Sequence, residues 1–212
     1  MKVLLVDDHT LFREGLNLLL KSLSSGVVVR EAGSLERARQ VLEEDGPFDM
    51  VLLDLQLPGV SRLGALHWIR KLDGDLPVVV LTGSEDPEII HDAIESGAMG
   101  FIKKSVDSEE MMQALQQVLS GGVYLPPVCL GVRNDRPQVS ASRFGISPRQ
   151  AEVLQMLAQG KSNKLIAREL GISDTTVKSH VKAVFDALDV HSRTQAVFVL
   201  ARLGWQLHET GS

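Results

Sequence analysis

Two carboxylates, Asp7 and Asp8, follow the apolar run Val3–Val6 with nothing between, and a third, Asp54, closes the run Met50–Leu53. Thr82 ends the run Val78–Leu81, and Lys104 stands just beyond Gly100–Ile102. Three acids, a hydroxyl and an ammonium share one chemistry if those runs lie side by side. Crowded carboxylates repel each other and favour a hard divalent cation, and Mg²⁺ with oxygen donors and retained water is the natural occupant. The set suits phosphoryl transfer to a carboxylate. Asp54 is then the nucleophile, the cation and Lys104 spread over the phosphoryl oxygens, and Thr82 donates a hydrogen bond. Gly83, beside Thr82, leaves the approach to Asp54 uncrowded. A single acid at a strand end is as readily a solvated surface group; five groups at matching ends are not.

A second constellation lies near the other end of the chain. Ser162 to Leu170 reads as a short amphipathic helix broken by Gly171-Ile172-Ser173, with the glycine for a tight turn and Ser173 placed to cap the next helix. That helix, from about Asp174 to Leu188, carries Val177, Val181, Val184, Phe185 and Leu188 as one apolar stripe. Its outer face keeps Thr175, Lys178, Ser179, Lys182 and Asp186. Two helices joined by a three-residue turn containing glycine are the signature of a helix-turn-helix. Lysines four apart on the second helix can enter a major groove, where Lys178 and Lys182 meet guanine acceptors or phosphates and Ser179 either. On spacing alone, a plain helical bundle with solvated lysines also fits.

The elements that must position the first constellation are short. Val3–Val6, Val27–Val29, Met50–Leu53, Val78–Leu81 and Gly100–Ile102 read as strands buried on both faces. Between them lie helical patterns such as Leu11, Leu16, Leu19, Leu20 and Leu23, and Leu35, Ala38, Val41 and Leu42 behind a capping Ser34. Five such units predict an α/β fold with an open, doubly wound five-stranded parallel sheet, whose ligands bind at the carboxyl ends of the strands. After Gly121-Gly122 the periodicity stops. Residues 123–142, with Pro126-Pro127 and a polar stretch from Gly131, read as a linker, and Pro148 to Leu207 as a smaller all-α domain. The final helix, Thr194 to Leu203, places Ala196, Val197, Leu200 and Ala201 on one side, with Trp205 and Leu207 beyond.

Bulk properties agree. Of the 212 residues, 1–122 hold 11 Lys+Arg against 20 Asp+Glu, a balance of −9, while 143–212 hold 9 against 6, a balance of +3. An acidic front and a mildly basic back suit a cation site followed by a polyanion-binding module. No apolar run approaches the roughly 18 residues of a membrane span, and acids at positions 7 and 8 argue against a secretory signal. The lone Cys129 excludes an internal disulfide and a cysteine-based zinc cluster. A cytoplasmic protein without a membrane partner is expected. His67, His91 and His208 are read as surface groups, Trp68 and Met111-Met112 as packing.

Four separated segments, Leu5-Val6-Asp7-Asp8-His9, Leu53 to Gly59, Leu81-Thr82-Gly83 and Gly100 to Lys104, together resemble the receiver domain of response regulators. The resemblance implies a flavodoxin-like receiver with Asp54 as phosphoacceptor. It implies Asp8 and Asp54 as direct Mg²⁺ ligands, Asp7 acting through water, and the Gln56 backbone carbonyl as a further ligand. Lys104 rather than Lys103 becomes the phosphoryl contact, and Thr82 and Phe101 a switch pair in which the ring changes its burial. Two positions depart from the family: Ser105, where many receivers have a cis-proline, and Arg62, where a glycine is usual; the second is expected to alter the loop beside Asp54. In the back half, Ser147 to Leu154, Gly160 to Lys164, Thr176 to His180, Leu188-Asp189-Val190 and Ser192 to Ala196 are similar to LuxR-type helix-turn-helix domains. That similarity adds Asn163, Lys164 and His180 as phosphate contacts, with Lys178, Ser179 and Lys182 facing bases. Gln150 stands where glutamate is usual, which predicts a weakened buried polar contact, and Ala187 where lysine is usual, which removes a possible phosphate contact. The whole resembles the NarL/FixJ class, with a receiver over 1–122, the linker over 123–142 and the DNA-binding domain over 143–212. The class implies a sensor histidine kinase and double-stranded DNA as partners and a homodimer when active, tending to pair through the last helix. Two rival readings are a phosphatase or phosphotransferase working through an aspartyl-phosphate, against which stands the absence of an acid two residues after Asp54, and a front domain switched by something other than phosphate.

Overall fold

In the computed structural model, which describes residues 1–84, 86–126 and 144–202, the chain divides into two compact units, Met1–Gln116 and Gln117–Ser212. The front unit holds five strands, β1 (Lys2–Val6), β2 (Val28–Ala32), β3 (Met50–Asp54), β4 (Val78–Thr82) and β5 (Gly100–Lys103). All pair in parallel in the order β2-β1-β3-β4-β5. Every residue of β3 and β4 is buried, which is why their sequences are unbroken apolar runs ahead of the terminal Asp and Thr. The register aligns their ends: Val6 pairs with Leu53, Asp54 with Leu81, and Thr82 with Lys103. Strand order reverses between β1 and β3, and there the crevice opens at the carboxyl edge.

Parallel pairing requires crossovers, and four helices supply them, α1 (Thr10–Leu23), α2 (Leu35–Glu44), α3 (Gly64–Leu72) and α4 (Pro87–Glu95), while α5 (Ser108–Leu119) follows the last strand. Ser34 caps α2 as expected, its hydroxyl accepting from the Arg37 amide at 3.2 Å. Asp86 caps α4 in the same way, with Pro87 in the first turn.

Two expectations are corrected here. Strand β2 begins at Val28 and runs to Ala32 rather than spanning Val27–Val29, because it is an edge strand whose residues alternate in burial. Arg30 and Glu31 therefore belong to it, although no apolar run marks them. Leu11, the first residue of the helical pattern Leu11, Leu16, Leu19, Leu20 and Leu23, is 83% exposed. At 100° per residue the inward stripe is set by the buried Leu16 and Leu20 with Phe12, Leu19 and Leu23 partly covered, and Leu11 falls outside it.

The back unit holds α6 (Pro148–Ala158), α7 (Asn163–Leu170), α8 (Asp174–Leu188) and α9 (Arg193–Arg202) around a core that includes Val153, Leu154, Ile166, Val177, Val184 and Leu200. Each of the first three helices starts on a serine cap: Ser147, Ser162 and Ser173 accept from the amides three residues on. Gly171 ends α7 with a left-handed φ of 63°, which lets the chain reverse within three residues. Gln150 does more than tolerate its position. Its side-chain oxygen accepts from the Ser147 amide at 2.8 Å, completing a capping box that glutamine and glutamate serve alike. The expected loss of a buried contact is thus replaced by a half-exposed cap that glutamine maintains. Ala187 is partly buried against the core. Arg193, whose guanidinium burial pushes down to about 10, donates to the carbonyls of Leu157 and Lys161 and so ties α9 to the end of α6.

His67 is hydrogen-bonded to Ser96 at 2.9 Å, and Trp68 lies beneath the Arg39 guanidinium at 4.9 Å. Met111 is buried, whereas Met112 is exposed. Cys129, Leu203, Trp205, Leu207, His208 and the linker from residue 127 onward lie outside the described residues. Among the described residues, no helix is long and apolar enough to cross a membrane. Replacing Ser173 by alanine removes the cap of α8 and is expected to lower the stability of the helical unit by about 1 kcal/mol, measured as a shift in its urea-unfolding midpoint at unchanged slope.

Candidate functional site

The predicted acids meet at the carboxyl edge of the sheet. Asp7 and Asp54 are completely buried, and the Asp8 side chain is 28% exposed. Asp7 is held through its backbone: its amide donates to the Ala32 carbonyl at 3.0 Å, and its carbonyl accepts from Arg13 at 2.6 Å. Asp54 Oδ1 accepts from the Gln56 amide at 3.0 Å. Lys104 reaches in from the loop after β5, its Nζ 2.6 Å from both Asp54 Oδ2 and Asp7 Oδ2. The ring of Phe12, 5.0 Å away, lies under the same ammonium.

Thr82 is buried beside this group, its hydroxyl oxygen accepting from the Ser84 amide at 3.0 Å and its carbonyl from the Lys104 amide at 2.8 Å. The second bond anchors the loop that carries Lys104. A Cβ built at Gly83 would meet the Gln56 side chain at 3.8 Å, an ordinary contact. Phe101 is fully buried on β5, paired with Val80 two residues below the Thr82–Lys103 row. Arg62 is exposed and its backbone needs no glycine, since Asp189 is the one non-glycine residue with positive φ among those described. The departure at that position therefore introduces no backbone strain beside Asp54.

One residue that the sequence reading passed over also enters the pocket. The imidazole Nδ1 of His9 lies 2.9 Å from Asp8 Oδ1, 3.1 Å from Asp7 Oδ1 and 3.9 Å from Asp54 Oδ2. Adjacency to Asp8 at the end of β1 was the available signal. Asp7, Asp8, His9 and Asp54 each offer a ligand atom, all within 4.8 Å of one another. Three carboxylates against one ammonium leave a surplus of negative charge. Asp7 Oδ2 and Asp8 Oδ1 are moreover buried and accept no hydrogen bond, the former contacting Lys104 only as an ion pair. An oxygen-rich, under-neutralised pocket of this kind fits a hard divalent cation.

In the helical unit, Lys178, Ser179 and Lys182 are exposed on α8, and His180 is partly so. Lys178 lies 3.0 Å from Asp174 one turn earlier, and the Ser179 hydroxyl donates to the Thr175 carbonyl at 3.1 Å. Lys164 is exposed in the first turn of α7 with Asn163 partly exposed before it. The candidate DNA contacts thus fall on α7 and α8, the two helices joined at Gly171.

Residues 3–116 match the family described as response regulator receiver domain, and residues 145–200 match bacterial regulatory proteins of the luxR family. The chain is a response regulator. The glycerol metabolism activator of Pseudomonas putida is 37% identical over 92% of this chain and 93% of that protein. The nitrate/nitrite response regulator NarL of Escherichia coli K12 is 33% identical over 92% of each chain. The RcsB response regulator of Salmonella typhimurium shares the fold, with a TM-score of 0.55 at 23% identity over 95% of this chain and 98% of that one. This response regulator is accordingly of the NarL type, a transcription factor that joins a receiver to a LuxR-type DNA-binding domain.

Within the regulator's receiver, Lys104 is the one described cation within ion-pair distance of both Asp7 and Asp54 apart from the ring of His9. Lys104→Met in metal-free buffer is expected to destabilise the receiver by about 3 kcal/mol, because it leaves buried carboxylates unpaired. Adding Asp54→Asn to that variant should recover part of the loss; additive losses in a double-mutant cycle would show that the three groups are not coupled.

Proposed function

We propose that a partner histidine kinase transfers a phosphoryl group to Asp54 and that this modification controls sequence-specific binding of α8 to double-stranded DNA. The observation that carries the reading is the Lys104 ammonium set 2.6 Å from Asp54 within a buried carboxylate pocket, in a chain whose other half belongs to a DNA-binding family. An Asp54 oxygen attacks phosphorus as the donor's bond to phosphorus breaks, and the product is an acyl phosphate on this side chain. Lys104, freed from neutralising two carboxylates, pairs with the phosphoryl oxygens, and the Thr82 hydroxyl donates to them. Asp8, Asp54 and the Gln56 carbonyl would hold Mg²⁺ directly and Asp7 through water; the bound cation neutralises charge on the transferring group.

The resemblance to receivers supports Thr82 and Phe101 as the rest of the switch. Movement of Thr82 toward the phosphoryl group vacates space along β4, and Phe101 on β5 changes its burial in response. The back unit then reads DNA with Lys178, Ser179 and Lys182 at base edges and Asn163, Lys164 and His180 on phosphates. Paired half-sites call for a homodimer, and the last helix supplies the pairing face. We assign the receiver to 1–122, the linker to 123–142 and the DNA-binding domain to 143–212, and place the regulator in the cytoplasm with its kinase and DNA. Leu55 and Gln56 after Asp54 provide no second acid to turn over an outside phosphate ester, which supports a switch rather than an enzyme.

Two variants test the two halves separately. Asp54→Asn should take up no phosphate from acetyl phosphate in the presence of Mg²⁺, read by mass spectrometry; continued labelling would move the acceptor elsewhere. Lys178→Ala should weaken binding to a specific operator by ~1–3 kcal/mol in fluorescence anisotropy, and unchanged affinity and salt dependence would remove α8 as the reading helix.

A further inference from the structure

His9 occupies the N-cap of α1, yet its side chain caps nothing. Its backbone amide instead donates to Asp7 Oδ1 at 2.8 Å, which fixes the residue against the carboxylate that its own ring approaches. The side chain is 62% exposed. Its Nδ1 is hydrogen-bonded to Asp7 Oδ1 at 3.1 Å and lies among further oxygens of Asp8 and Asp54. Among them, the buried Asp8 Oδ1 accepts no hydrogen bond.

We propose that His9 is a nitrogen ligand of the cation pocket and gives it a second cation class, divalent first-row transition ions such as Co²⁺ and Ni²⁺, beside Mg²⁺. The proposal rests on reading the pocket as a divalent-cation site. Two donor sets overlap there. The carboxylates form an all-oxygen set, which suits Mg²⁺; adding His9 Nδ1 makes a mixed nitrogen and oxygen set. Imidazole gains most from cations late in the first-row series and little from Mg²⁺. His9 is thus the residue that separates the two classes, while Asp8 serves both. Because both sets share Asp54, a transition ion and Mg²⁺ bind the phosphoacceptor pocket in competition.

The alternative role for His9 is that of an internal counter-charge to the three acids. The two roles differ in what happens when the ring is removed. Loss of a counter-charge changes the affinity for every dication in the same sense, whereas loss of a ligand penalises the transition ion alone. Metal-stripped full-length protein is titrated with Mg²⁺ and with Co²⁺ by calorimetry. Competition by Mg²⁺ confines the Co²⁺ signal to this pocket, and the visible absorption of Co²⁺ reports nitrogen ligation. In His9→Ala, Co²⁺ should bind ~10-fold or more weakly and its spectrum should change, with Mg²⁺ affinity within about twofold of the original. His9→Asn, which offers α1 an N-cap oxygen that histidine lacks, should behave likewise and separates ligation from helix stability. Asp8→Asn should weaken both cations. Equal shifts for Co²⁺ and Mg²⁺ in both His9 variants would overturn the proposal and leave the cation site standing. Failure of the unaltered protein to bind either cation competitively would overturn the cation site itself, and His9 as a ligand with it.

Discussion

Two carboxylates, Asp7 and Asp54, are buried without solvent contact within reach of one ammonium. Removing such ions from water costs several kcal/mol each even after relaxation, and attraction offsets the cost only where the geometry is close. The front half of the molecule is organised so that the geometry is close. Parallel pairing of β1 with β3 sets Asp7 level with Asp54, and the amide of Lys104, bonded to the Thr82 carbonyl, fixes the loop from which the lysine reaches both. A sheet covered on both faces by apolar side chains makes that edge the place where polar chemistry survives next to a dry core. The same arrangement leaves the site short of positive charge. A demand for an added cation is therefore built into the resting fold.

The back half solves a different problem with the same economy. Helix α8 is held by the core on one side while its outer face stays free. Val177 and Val184 bury one side of α8, and Ser173 and Gly171 set the angle at which it leaves α7. The lysines are left on the outside by the period of the helix. Arg193 contributes at the far end: it accepts burial of its guanidinium, at the expense of some of its basicity, in return for the Leu157 carbonyl in the last turn of α6 and the Lys161 carbonyl just beyond it.

The residues that meet in the front pocket were almost all legible in the sequence. Strand-end acids, a hydroxyl and a lysine in the right order are local facts about residue type, and the runs ahead of them are apolar because those strands are buried on both faces. Where burial was one-sided, the reading failed: the edge strand β2 hides Arg30 and Glu31 in an alternating pattern, and Leu11 carries a core residue's side chain on a solvent-facing turn. The substitution at Gln150 looked like a loss because residue type alone does not reveal that the position is a cap, where the amide oxygen serves as well as a carboxylate.

By itself, then, the sequence determined the five-strand alternation, the identity of the polar groups at the strand ends and the helix-turn-helix, since each depends on periodicity or on a residue's own chemistry. Only the tertiary structure decided distances between strand ends: that one ammonium serves both Asp7 and Asp54, that Thr82 and Lys104 are linked through their backbones, and that His9 Nδ1 lies among the acids. The physical reason is common to all three. Side-chain direction at a strand end or a helix cap is set by neighbours far away in sequence, brought alongside by the register of the sheet, and no local pattern encodes it.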